Sequence, residues 1–274
     1  TDDELYGETD VPNMTAVQRA FGYSAEDGRL IVQPMAGEAK EPVWSMGDDA
    51  PLAVLSERPR PLSAYFRQRF AQVTNPPIDS LREKKIMALD SWLGPRTNLL
   101  VEDPAAAELV HLPSLVISEG QVRALESLDR GRLKARRVST LFDVPTAGVG
   151  ATPASPVTAD AALRDRATQA SPLQKALERV LGEAEAAVRD GVSVLILSDR
   201  GVDETQATVP MLLAVGAIHH ELIRKGLRMN VDLVCETGEV WDVHHLACLM
   251  GYGAAAVHPY LALRAVAALA GTRG

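Results

Sequence analysis

Only two of the 274 residues are cysteines, Cys235 and Cys248, which leaves no disulfide framework and no iron–sulfur spacing. That usage fits a reducing, cytoplasmic compartment. Long apolar runs are missing as well: the most apolar stretch, Met211 to Ile218, stops at His219 and His220, far short of the ~20 residues a membrane span needs. Basic residues are the minority, 28 Lys and Arg against 36 Asp and Glu, and the net charge of −8 argues against a nucleic-acid or anionic-membrane surface. The basic clusters Arg58 to Arg69 and Arg132 to Arg137 are local and read as solvated faces or interface rims. Thr1 to Asp10 is acidic where a secretory signal would be basic and then apolar, so no signal peptide is expected.

What remains is ordinary globular composition, 46 % hydrophobic and 23 % charged, enough to bury a sizeable core in one large domain. Residues 1–55 hold acidic, Gly-rich and Pro-rich stretches with no alternation long enough for a strand. They read as an irregular connecting arm that wraps a neighbour, followed by an α/β domain over 56–274. Between Gln68 and Met87 lies the least generic sequence in the chain. An apolar helix carrying Tyr65, Phe66 and Phe70 is predicted to stop before a rigid corner, because Pro76 and Pro77 fix their own φ and push Asn75 into the extended region. A new helix is predicted through Met87, with Ser80 and Glu83 at capping-box spacing.

From Leu109 short apolar runs alternate with helical periods. Strands are predicted over His111 to Ile117 and Arg137 to Phe142, with a helix from Glu119 to Asp129 ending near Gly131. Residues 145–171 are small, polar and proline-bearing, the composition of a mobile loop. Ser171 and Pro172 then open a helix, Gln174 completes a capping box, and one face is apolar from Leu173 to Val188, with Gly191 closing it. There follow strand Val192 to Leu197, helix Pro210 to Lys225, strand Val231 to Cys235, helix Glu239 to Met250 closed by Gly251, strand Ala254 to Val257, and helix Tyr260 to Ala270. Each strand is an unbroken apolar run without hairpin signals, as in a parallel sheet covered on both faces. The fold class is α/β.

In such a sheet ligands sit at the C-terminal strand ends, which here carry Asp143, then Ser198, Asp199 and Arg200, then Glu236 and Thr237, then His258. Asp199, Arg200, Glu236 and His258 are the candidate ligand or interdomain contacts. A structural reading competes: Asp199 and Arg200 pair with neighbours, Thr237 caps the helix beginning near Glu239, and His258 is a loop residue before Pro259. The pairs His219–His220 and His244–His245 do not read as a metal site, since adjacent helical residues point about 100° apart. Gly201 and Gly238 are lone glycines, too weak a signal for an FMN phosphate loop. Thr1 as an N-terminal nucleophile has only its position in its favour.

Two blocks carry a resemblance. The run SMGDDAPLAVLSERPRPLSAYFRQRFAQVTNPPIDSLREK (Ser45 to Lys84) closely resembles the opening of the central domain of the glutamate synthase large subunit. Val194 to Leu261, with ILSDRG, LLAVGAIHHELIRKGLR and ETGEVWDVHHLACLMGYGAAAVHPYLA, resembles the same domain further on. The resemblance implies a partial or degenerate (β/α) barrel that is not catalytic alone and holds no cofactor or metal. It would connect a glutaminase domain to an FMN-binding synthase domain and help wall the ammonia tunnel, with FMN and an iron–sulfur cluster belonging to the full-length enzyme. Ser45 to Glu83 and the strand-end residues Asp199, Arg200 and Glu236 are then the expected contacts with the other domains. The sequence departs from the family pattern in the long connection before Ser171 and in His258, where Asn is expected. Those departures keep one alternative open, a stand-alone enzyme with a site at the strand ends; a further alternative is a separate binding partner of a split amidotransferase.

Overall fold

Val194–Ser198 and Asp232–Glu236 are buried at every residue. That is the mark of strands covered on both faces, and it sets the architecture. The computed structural model describes residues 13–43, 60–67, 69, 77–98, 100–144 and 171–271. The chain forms α1 (Met14–Ala20), α2 (Ala25–Asp27), a π-helical turn (Gly28–Val32), α3 (Gln33–Glu38) and α4 (Ser80–Ile86). Next come β1 (Ser91–Leu93), β2 (Val110–Leu112), α5 (Glu119–Glu126), β3 (Asp129–Arg130), β4 (Leu133–Ser139) and β5 (Leu141–Asp143). The remainder is α6 (Pro172–Arg189), β6 (Val194–Ser198), β7 (Gln206–Thr208), α7 (Met211–Arg224), β8 (Asp232–Glu236), α8 (Val243–Gly251), β9 (Ala254–His258) and α9 (Tyr260–Gly271).

The main sheet has the order β3-β4-β6-β8-β9, parallel from β4 to β9. One face carries Leu195, Leu197, Leu233, Cys235 and Val257 against Val180, Val188, Val215, Ile218 and Leu249 of α6, α7 and α8. The other carries Val194, Ile196, Val234 and Ala256 against Leu93, Ile117, Val122 and Leu125. Strand–helix alternation after Ser171 therefore holds as predicted, and the fold is a mixed α/β one with a parallel sheet.

Several local expectations are corrected. The strand over His111 to Ile117 is broken by Pro113, which has no N–H to give a ladder. Val110–Leu112 pairs antiparallel with β1, and the chain then turns to run beside β9, Ile117 N–H donating to the Val257 carbonyl at 2.9 Å. Helix α5 ends at Glu126 rather than Asp129 because Asp129–Arg130 enters a hairpin with β4, and Gly131 belongs to that turn. Strand Arg137 to Phe142 is two strands: the fully buried Thr140 ties back to the Ser198 carbonyl, and β5 leaves the sheet to pair antiparallel with β7. Hairpin and antiparallel pairing thus accompany the parallel core; Gly131, at φ +58°, makes the β3–β4 turn rather than a helix end.

Helix starts also move. Asp79, not Ser80, caps α4, accepting from the Leu81 and Arg82 N–H groups at 3.1 and 3.0 Å. Ser171 caps α6, but the Gln174 amide turns to Glu178 instead of completing a box. A complete box forms at Ser118 and Gln121. Helix α8 starts at Val243 because Asp242 accepts from His245 N–H at 2.8 Å; Glu239 lies before it and caps α7 through Met211 N–H at 3.0 Å. The turn after α8 is made by Gly253, at φ +112°, rather than Gly251. A Cβ there would lie 2.4 Å from His219 Nδ1, so only glycine fits.

The predicted helix through Tyr65 and Phe66 is a single 3-10 turn, Leu62–Tyr65, with Phe66 already extended. Tertiary contacts override its helical pattern: the Ser63 carbonyl accepts from His244 Nε2 at 2.9 Å, and Phe66 meets Tyr252 edge-on. Phe70, Asn75, Pro76, Thr1, most of Ser45 to Glu83 and residues 145–170 lie outside the described residues. The described part of the arm packs on the chain itself, burying Phe21, Tyr23, Ile31 and Val32 against Trp241, Tyr260, Leu261 and Ala265.

Candidate functional site

Pairing register places Ser139, Ser198, Glu236 and His258 in one row across β4, β6, β8 and β9, at the C-terminal end of each strand. Successive residues alternate faces, so Ser198, Glu236 and His258 share the side covered by α5, while the next residues, Asp199 and Thr237, turn the other way. Three of the four predicted residues, Asp199, Glu236 and His258, are fully buried, and the Arg200 side chain keeps about 21 % exposure.

Arg200, in the turn after β6, unites most of them. Its Nη2 pairs with Glu119 Oε2 and lies 3.1 Å from His258 Nε2, and its Nε stands 2.5 Å from Glu236 Oε1. The guanidinium also covers the Tyr260 ring at 4.7 Å from its centroid. Glu236 Oε2 accepts from Ser198 Oγ at 2.5 Å and faces Arg137 Nη1 at 2.8 Å. His258 Nδ1 is 2.7 Å from the Ile117 carbonyl, an acceptor only, so Nδ1 carries the hydrogen. His258 is thus the last residue of β9 and a buried member of the network, not a loop residue. Glu119, Arg137, Tyr260 and Arg264 were not among the predicted residues. Only the Ser118–Gln121 capping signal marks Glu119, by fixing it in the first turn of α5.

The electrostatics follow from burial and pairing. The His258 ring and the Arg200 guanidinium hold the Glu119 carboxyl down at about 2, against burial, which pulls it up. Burial lowers the Arg200 pKa, but Glu236 and Glu119 more than offset this and carry it above its ordinary value. Asp199 points to a separate group. It accepts from Thr237 Oγ1 at 2.5 Å and Gly238 N–H at 3.0 Å, yet burial pushes it up to about 7. Burial next to Asp199 likewise raises Glu239 to about 8. Thr237 does not cap α8; its hydroxyl binds Asp199 and accepts from Glu239 N–H at 3.0 Å.

The histidine pairs stay apart from this cluster. His219 Nδ1 accepts from Arg228 Nε at 3.0 Å, and His244 and His245 serve Ser63 and Asp242. Two surface grooves lie elsewhere. One of about 370 Å³ runs along Phe142, Asp143, Lys175, Arg179 and Gln206. The other, of about 280 Å³, lies between Phe21, Arg60, Leu62, Val202 and Glu239. Asp143 therefore lines the first groove rather than joining the strand-end cluster.

These features define an α/β domain whose parallel strands end in polar groups that neutralise one another. Residues 16–273 match the glutamate synthase central domain family. The chain belongs to that family. It is 44 % identical over 261 residues to the ferredoxin-dependent glutamate synthase 2 of Synechocystis, covering 94 % of this chain and 15 % of that protein. It is 45 % identical over 248 residues to the chloroplastic ferredoxin-dependent enzyme of Oryza sativa, covering 90 % and 14 %. The NADPH glutamate synthase large chain of Bacillus subtilis is 40 % identical over 261 residues, covering 95 % and 15 %. The chain thus spans about 15 % of the length of the relatives it matches. Among the described residues no helix is long and apolar enough to cross a membrane.

Proposed function

We propose that this chain is the non-catalytic central domain of a glutamate synthase-like protein, working in the cytoplasm in glutamate biosynthesis. It connects a glutaminase domain to an FMN-binding synthase domain and helps wall the passage through which ammonia moves between them. Those neighbours lie in the same polypeptide or in separate chains, and FMN, the iron–sulfur cluster and the electron donor belong to them. The parallel sheet is then a segment of a degenerate (β/α) barrel, with 1–55 as the connecting arm and 145–171 as a mobile loop.

The observation that carries this reading is the consumption of the strand-end polar residues by each other. Where a (β/α) enzyme presents free groups to substrate, Arg200 here sits between Glu119, Glu236 and His258. Contact with another domain from this region falls to the rims of Arg200 and Arg137. A second feature supports docking: α4 and the residues after it leave Leu81, Ile86, Met87 and Leu89 between about 52 % and 92 % exposed. A helix of two turns with no packed face gains its stability from a partner.

The test is an absorbance titration of the purified chain with FMN, run beside an assay of glutamine and 2-oxoglutarate turnover. The expected result is neither flavin retention nor turnover. Flavin bound at one per chain, or turnover by the chain alone, overturns the reading.

A further inference from the structure

Each carboxylate of the strand-end cluster is held at one oxygen from outside and offers the other inward. Glu236 Oε2 is taken by Ser198 Oγ and Arg137, while among the described residues Oε1 has only Arg200 Nε before it. Glu119 Oε1 faces Arg123 Nε at 3.4 Å, and Oε2 turns to Arg200 and to His258 Nε2, which is 3.1 Å away. Because Nδ1 carries the hydrogen that goes to the Ile117 carbonyl, Nε2 is the ring nitrogen that can offer a lone pair to a metal ion at the same point. The three donor atoms come from three separate elements and lie within 4.8 Å of one another. Their residues are at most 6 % exposed.

Two anionic oxygens and an imidazole lone pair form a donor set for a divalent ion such as Zn²⁺ or Mn²⁺. An imidazole whose other nitrogen is pinned to a backbone carbonyl is how metal-ligating histidines are commonly oriented. The guanidinium now at that point is an imperfect fit: Arg200 Nε and Glu236 Oε1 are both buried, and neither makes an aligned hydrogen bond. Arg200 is carried on the turn that continues into Gly201 at φ +103°, outside β6, so it can withdraw without disturbing the strand.

We infer that Glu119, Glu236 and His258 form a divalent transition-metal site for which the Arg200 guanidinium is the built-in competitor. The site goes beyond the scaffold role and does not depend on it. Arg123, Arg137 and Arg264 surround it with like charge and keep the affinity of the unaltered chain low. The sequence marks Glu236 and His258 as strand-end residues but not their grouping with Glu119, because the spacings of 117 and 22 residues carry no metal-ligand pattern and the sheet register with α5 is what joins them.

The test titrates the full chain and its Arg200→Ala variant with Co²⁺ and Zn²⁺, following Co²⁺ d–d absorption and heat of binding. Arg200→Ala should bind one ion per chain at least tenfold more tightly than the unaltered chain. His258→Asn in that background should abolish the Co²⁺ bands. No gain in affinity on removing Arg200, or bands that survive His258→Asn, overturns the inference. Removing Arg200 also strips two carboxylates of a counter-charge, so the variant is refolded with Zn²⁺ and with EDTA as well. If it folds only with Zn²⁺, as read by circular dichroism, the site is supported; failure in both overturns it.

Discussion

Replacing Asp199 by Asn should remove most of one measurable component of the pH dependence of stability. Asp199 is fully buried, and burial lifts its pKa from 3.8 to about 7 despite hydrogen bonds from Thr237, Gly238 and Tyr260. A carboxyl whose folded pKa lies above its unfolded value favours folding most below the unfolded pKa. That contribution is lost as pH rises from about 4 to about 7, and the curve is flat above. Integrated from pH 5 to pH 8, one such group lowers stability by about 3 kcal/mol. Glu239, raised to about 8, acts in the same direction, whereas Glu119, held at about 2, loses its contribution only below pH 4.5 and stays outside the window. Asn conserves the shape: its carbonyl oxygen can accept from Gly238 N–H and its amide can donate to Thr237 Oγ1. Urea unfolding at pH 5 and pH 8, followed by tryptophan fluorescence, measures the effect, since Trp241 is buried beside Tyr23. The unaltered chain should lose about 3 kcal/mol more stability between the two pH values than Asp199→Asn does. Equal losses in both proteins refute the assignment of a buried, ionising Asp199.

Tyr260→Phe removes a hydroxyl that bonds to Asp199, so it should shift the midpoint of the same pH dependence upward and cost about 1 kcal/mol above pH 7. Gly253→Ala forces a side chain into a left-handed backbone and onto His219; a loss of about 3 kcal/mol in urea unfolding is expected. Gly238→Ala would put a Cβ 2.6 Å from the Phe21 ring. Hydrogen exchange should then show faster opening of residues 14–38 while β6 and β8 keep their protection, and unchanged arm protection would sink the proposed contact.

Composition and periodicity by themselves determine the helices and parallel strands after Ser171. Runs such as Val194–Leu197 and Leu233–Cys235 are apolar at every position, a pattern satisfied only between two covering layers. The polar residues at the strand ends are legible for the same reason, since each stands where an apolar run stops. Family membership is legible in the blocks from Ser45 to Lys84 and from Val194 to Leu261. What those polar residues do was decided by tertiary structure. Pairing register brings Ser198, Glu236 and His258 into one row, and α5 brings Glu119 from about 80 residues away in sequence from Arg200. The Phe66 region and β5 likewise abandon their local patterns for long-range partners, His244 and Tyr252 in one case and β7 in the other. Local propensity amounts to tenths of a kcal/mol per residue, whereas satisfying a buried carbonyl or pairing a buried charge amounts to one or more, so the distant contact prevails.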